Sequence, residues 1–159
     1  MKDLLVRPAQ VQDISEILAL LREFAEYENL LDSFEVTEER LKIALFGENK
    51  IADAIVAFND ETAIGYAIFF PYFATFRGQR GIYLEDIYIT KDFRGAGLGE
   101  KMLKYIAKIA NRRGFERIDF QVLEWNTPAI GFYEKLGAER NDDERHFKFS
   151  GDVFEKLAL

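Results

Sequence analysis

Residue types able to do chemistry gather in three places along this 159-residue chain. The first is Arg94-Gly95-Ala96-Gly97-Leu98-Gly99-Glu100, which opens a stretch with Leu98, Met102, Tyr105, Ile106 and Ile109 at helical spacing. A helix start presents unpaired backbone N–H groups and partial positive charge, so it attracts phosphate. Glycines at 95, 97 and 99 allow close backbone approach and positive φ. The second place is the carboxylate pair Glu85-Asp86, just upstream. The third is Phe132-Tyr133, on a predicted helix opened by Asn126-Thr127-Pro128. Carboxylates and a phenol are the raw material of acid–base work.

A structural tight turn explains the glycines as readily as a phosphate cradle does. A P-loop requires Gly-Lys-Ser/Thr, whereas this turn runs Gly99-Glu100-Lys101 and offers no hydroxyl for magnesium. A dinucleotide turn requires G-x-G-x-x-G directly after a strand, with an acidic residue some way on. Asp119 stands at a suitable distance, but Glu100 occupies the last glycine position and Thr90 to Arg94 separates strand from turn. Both classes are therefore disfavoured.

The elements that must position these residues follow from periodicity. Leu4-Leu5-Val6 reads as a strand stopped by Pro8, and Val11, Ile14, Ile17, Leu18, Leu21 and Phe24 mark an amphipathic helix to about Tyr27. Thr37 with Glu38 and Glu39 predicts a second helix stopping at Gly47. Residues 51–58 and 62–70 predict a hairpin turning at Asn59-Asp60. A loop over 72–79, a strand over 81–89 and the helix ending at Gly114 come next. Ile118, Phe120 and Val122 predict a strand; a helix from Asn126 closes at Gly137, and Phe147 and Phe149 suggest a last strand. The expected class is α/β (α+β): an antiparallel first half, then a βαβ unit, in one domain over 1–159.

Composition narrows the function. Cysteine is absent, which excludes disulfides and an acyl-cysteine relay, and the lone His146 suggests no metal centre. The N-terminus has no signal-peptide core, and the apolar stretch from Ala63 to Phe76 is too short for a bilayer and carries Pro71. A cytoplasmic protein with no membrane partner is expected. The net charge of −7 argues against nucleic acid and suits a cationic ligand, although ordinary solubility charge explains it too.

The spacing of Arg94, Gly97 and Gly99 matches Arg/Gln-x-x-Gly-x-Gly/Ala, and the chain here resembles the GNAT acetyltransferase superfamily. Tyr83-Leu84-Glu85-Asp86-Ile87-Tyr88-Ile89 looks like that family's central strand. Glu124-Trp125-Asn126-Thr127-Pro128-Ala129-Ile130-Gly131-Phe132-Tyr133 looks like its second cofactor segment. Arg7-Pro8-Ala9, Tyr27-Glu28 and Tyr83-Leu84-Glu85-Asp86 are most similar to the spermidine/spermine and thialysine acetyltransferase branch.

The resemblance implies a mostly antiparallel mixed sheet with helices on both faces, acetyl-CoA as co-substrate, and direct ternary-complex transfer to a small amine. It places the cofactor on Ile87, Tyr88, Ile89, Arg94, Gly95, Ala96, Gly97, Leu98, Gly99, Glu100, Asn126, Pro128, Ala129 and Tyr133. One of Lys101, Lys104 and Lys108 can reach the adenosine phosphate, or all three form a solvated face. An amine of pKa near 10 is protonated roughly a thousandfold over at neutral pH and must lose a proton before attack. The resemblance implies Glu85 for this, as base through water or as anchor of the ammonium, and Tyr133 as donor to the leaving thiolate. Alternation puts Asp86 on the opposite face from Glu85 unless a bulge intervenes. Tyr27, Glu28, Asp86 and Asp119 complete the expected amine contacts, with Asp119 outside the family pattern. A homodimer is also implied, with the aromatic run Phe69 to Phe73 as interface or core. Acceptance of a protein N-terminus or lysine, and a non-catalytic CoA-binding module, are the competing readings.

Overall fold

The computed structural model of the chain describes residues 4–159. They form two compact units, the first reaching to Gln121 and the second covering Val122–Leu159.

In the first unit, β1 (Leu4–Pro8), β2 (Asp53–Asn59), β3 (Thr62–Ala74), β4 (Gln79–Ile89) and β5 (Arg117–Asp119) build one sheet in chain order. The first three pairings are antiparallel and β4–β5 is parallel. The parallel pair needs a crossover, supplied by α3 (Leu98–Arg112). α3 lays Leu98, Met102, Ile106 and Ala110 on one sheet face against Ile55, Ala67, Phe69, Ile82 and Leu84. On the other face, α1 (Ile14–Tyr27) and α2 (Glu38–Phe46) bury Ile14, Ile17, Leu20, Leu41 and Leu45 against Val56, Phe58, Tyr66 and Tyr88. Each such aliphatic side chain contributes about 1.5–3 kcal/mol by leaving water. The mixed sheet with helices on both faces is the architecture the sequence predicts.

Local chemistry sets the element ends. Thr37 Oγ1 accepts from Arg40 N at 3.2 Å, capping α2. Arg7 forks onto Asp13 at 2.6 and 2.9 Å, and Asp13 Oδ2 also accepts from Gln10 N at 2.7 Å. The Arg7 hydrogen bond is the largest effect holding the Asp13 carboxyl below its usual range. Arg7-Pro8-Ala9 therefore serves the turn from β1 into α1.

Three expectations are corrected. The predicted loop over 72–79 is half strand, with β3 running to Ala74 and β4 starting at Gln79, and only residues 75–78 making the turn. Pro71 is tolerated because β2 stops pairing at Phe69, so β3 there has only β4 as a neighbour. β5 ends at Asp119 instead of reaching Val122, since its pairing with β4 stops at Tyr83, one residue short of the stretch where β4 loses its regular register. The last strand at Phe147 and Phe149 is absent among the described residues. Both side chains are exposed, at 86% and 64%, and two alternating aromatics without a partner edge do not make a strand.

The second unit holds α4 (Thr127–Lys135) and α5 (Gly151–Leu157), with Arg140 paired to Glu134 and Asp142. No helix among the described residues is long and apolar enough to cross a membrane.

Candidate functional site

The site is built around one irregularity in β4. Ile68 pairs with Asp86 but Phe69 pairs with Leu84, so Glu85 is an extra residue, a bulge on β4. The bulge inverts the alternation. Ile82 and Leu84 face the α3 side before it, whereas Tyr88 packs with α1 and α2 after it. Glu85 is left exposed, and Asp86 follows the Tyr88 side of the sheet.

Asp86 is accordingly in an unusual setting. Burial pushes its pKa up to about 6, the negative charges of Glu85 and Glu28 add to this, and the Tyr66 hydroxyl pulls back. Tyr66 is wholly buried in β3, and its hydroxyl has no fully formed hydrogen bond among the described residues. The Asp86 carboxyl is near enough to act on it electrically without closing a good bond, and burial first, then Asp86, holds the phenol well above its usual range. Burial also raises the Glu28 carboxyl. Of the predicted amine contacts, the structure thus brings Glu28, Glu85 and Asp86 within each other's fields.

The glycine turn opens α3 as expected. Gly95 and Gly97 have φ of 78° and 81°, Gly97 is the N-cap, and no atom lies within 4 Å of where a Cβ would stand on either. Ala96 and Gly97 are exposed, Leu98 is buried in the core, Gly99 follows in the first turn, and Glu100 pairs with Lys104 at 2.6 Å. Arg94 Nε donates to Ile89 O at 2.8 Å, and its guanidinium lies 4.6 Å from the Tyr27 ring centre and 5.2 Å from that of Tyr88. Ile87, Tyr88 and Ile89 pair with β3 on one side. On the other, β5 stops opposite Tyr83, and no strand among the described residues pairs with Leu84–Ile89 there. A groove of about 410 Å³ is lined by Gly97, Glu100, Lys101, Lys104, Tyr105 and Lys108. A left-handed glycine turn on a helix start, an open strand edge and a basic groove all fit a thioester carrier with a diphosphate.

Asp119 is placed differently from the other predicted amine contacts. Arg117 forks onto it at 2.7 Å through each nitrogen, and the Tyr72 hydroxyl donates to it as well. Its charge is matched within the sheet. In the second unit, Asn126 caps α4, its Oδ1 accepting from Ala129 N at 3.4 Å, with Pro128 in the first turn. Tyr133 lies edge-on to Phe132, ring centres 5.2 Å apart, and burial pushes its hydroxyl up to about 12, so it keeps its proton at neutral pH. Sequence reasoning missed Tyr66, whose one signal is a polar tip inside the apolar run 63–70. It also missed Glu23, which accepts from the Tyr88 hydroxyl at 2.8 Å. Among the described residues no three His, Asp or Glu side chains are grouped to hold a metal ion.

Comparison with known proteins decides the family. Residues 15–138 match the model described as the Acetyltransferase (GNAT) family. The chain belongs to the GNAT family and is an acetyl-transferring enzyme. It is 35% identical over 169 residues to a thialysine N-epsilon-acetyltransferase of Sus scrofa, covering 99% of each chain. It is 34% identical over 140 residues to the spermidine/spermine N(1)-acetyltransferase-like protein 1 of Homo sapiens, covering 84% of this chain and 20% of that one. Among solved structures, an integron cassette protein from the mobile metagenome of V. cholerae aligns with a TM-score of 0.82 at 22% identity, covering 99% of both chains, which speaks for the fold. This GNAT chain thus has whole-length relatives named thialysine N-epsilon-acetyltransferase.

Proposed function

We propose that this GNAT enzyme transfers acetyl from acetyl-CoA directly to a primary amine of a small cationic substrate, of the thialysine, diamine or polyamine class. The observation that carries the reading is Asp86, a half-buried carboxyl whose pKa of about 6 suits a proton acceptor at neutral pH, set among Glu85 and Glu28. The full-length likeness to a thialysine acetyltransferase supports the same acceptor class.

Glu85 and Glu28 hold the ammonium, and Asp86 takes one proton from it, directly or through water, leaving a neutral amine to attack. The thioester supplies the activated acetyl group. After attack the nitrogen sheds its second surplus proton to solvent, while Tyr133 gives its phenolic proton to the departing thiolate and is reprotonated from solvent; the support is its motif and a hydroxyl that stays protonated. The backbone of Ile87 to Ile89 offers hydrogen bonds along its open edge, and Gly95 to Gly99 and Arg94 receive the diphosphate. Lys108 and its neighbours line the groove suited to a further phosphate. The family match spans the boundary between the two units, which supports one catalytic domain over 1–159. We also propose a homodimer, testable by light scattering at assay concentration.

The test is thiol release from acetyl-CoA across thialysine, putrescine, spermidine, ornithine and short peptides. Turnover with small diamines and none with peptides is expected. Preference for peptides would move the acceptor to protein amines, and no release with any amine would overturn the enzymatic reading.

A further inference from the structure

The arginine of the glycine turn and the tyrosine expected at the amine site touch. Arg94 lies in the loop between β4 and α3, three residues before the left-handed Gly97. Its side chain is exposed, and a free arginine loses much rotamer freedom on gripping an anion. Two contacts remove that freedom in advance. Nε donates to Ile89 O at 2.8 Å, and the guanidinium stacks on Tyr27 at 4.6 Å and Tyr88 at 5.2 Å. The rings are themselves held. Tyr88 donates its hydroxyl to Glu23 at 2.8 Å and stacks on Phe24 at 5.0 Å, while Tyr27 sits 6.5 Å from Tyr88 at the end of α1. The last turn of α1 is thereby tied to the cofactor turn through one cation.

We propose that Tyr27 is a positioning residue for acetyl-CoA: its ring pre-orders Arg94 for the diphosphate, so a residue of the amine site also sets cofactor affinity. This rests on the acetyl-CoA reading above. It follows from the character of guanidinium, which is planar, weakly hydrated and able to stack on a ring by its face while keeping its edge donors for phosphate oxygens. Because binding linkage is reciprocal, an amine that perturbs the Tyr27 ring alters acetyl-CoA affinity by the same factor that acetyl-CoA alters its own.

The experiment is calorimetric titration of acetyl-CoA, without amine, into wild type, Tyr27→Leu, Tyr27→Phe, Arg94→Ala and the double variant Tyr27→Leu/Arg94→Ala. A cation–ring contact at an exposed site corresponds to about a two- to fivefold change in Kd. Tyr27→Leu is expected to weaken binding by that factor and Tyr27→Phe to restore it, since phenylalanine keeps the ring face. In the Arg94→Ala background the leucine substitution should then cost nothing further. Unchanged affinity in Tyr27→Leu overturns the inference, as does a phenylalanine variant as weak as leucine. Additive losses in the double variant overturn it too, because a merely structural role of Tyr27 would persist without Arg94. A wild type that binds no acetyl-CoA sinks the function proposed above and this inference with it, whereas a binding wild type matched by Tyr27→Leu sinks the inference alone.

Discussion

Asp86 keeps its proton until about pH 6 because burial first, and then the negative charges of Glu85 and Glu28, disfavour its ionisation. As the proposed acceptor it must be ionised, so kcat/KM for an amine should rise as pH passes through about 6. Glu85→Gln removes one of the charges that raise this pKa, and the acid limb should move to lower pH. A limb that stays put in Glu85→Gln, with Asp86→Asn still showing it, would exclude Asp86 as its source. At Tyr133 the expected signature is different. Tyr133→Phe should lower turnover by about a hundredfold or more with little change in thermal stability, as loss of a proton donor does. Unaltered turnover would remove the assignment. The residue types were plain in the sequence. That Asp86 has a perturbed carboxyl was not, because burial, the largest cause, arises only when the bulge turns it toward the side of Tyr66 and α1.

At the scale of elements, the junction of β3, β4 and β5 carries a clear prediction. Gly81 pairs with Tyr72 on one side and Arg117 on the other, and a Cβ there would meet Tyr72 Cε1 at 2.5 Å and Arg117 Cγ at 2.9 Å. The absence of a side chain lets the Tyr72 ring cross β4 to reach Asp119. Gly81→Ala should therefore cost about 1–3 kcal/mol through overpacking. Chemical denaturation would read this as a lower midpoint with an unchanged slope, and Gly81→Ala/Tyr72→Ala should recover part of it. The helices α1, α2 and α3, the Asn59-Asp60 hairpin and the glycine turn were legible because each is encoded within one period of chain. The length of β5 and the continuation of β3 past Pro71 were not, since each depends on which neighbouring strand has already ended.

For the whole molecule, the shifted carboxyls oppose one another. Asp86 is raised from 3.8 to about 6, so the unfolded chain releases that proton first and stability falls as pH climbs across this window. Asp13, lowered chiefly by Arg7, contributes stability above the ordinary carboxylate range that is lost as pH falls through its depressed value. At Asp53 burial pushes up, but Arg113 and Lys50 outweigh it, and the net lowering acts in the same sense as at Asp13. Asp86→Asn should raise Tm relative to wild type at pH 8 and change it little at pH 4. Thermal melts at the two pH values measure this, and an equal shift at both would contradict the buried ionisation.

The sequence by itself determined the family, the helices α1 to α4, the sheet class and the glycine turn, because these follow from local spacing: apolar residues at helical intervals, Gly95 and Gly97 in left-handed positions, Arg94 in register with them. Only the tertiary structure decided what Glu85, Asp86, Asp119 and Tyr27 do with their neighbours. One extra residue at Glu85 turns Asp86 toward the side of Tyr66 and α1, Arg117 and Tyr72 absorb the charge of Asp119, and Tyr27 meets Arg94. The physical reason is range. Backbone conformation is set by adjacent residues, whereas burial, field and stacking are sums over side chains that the fold brings together from distant parts of the chain.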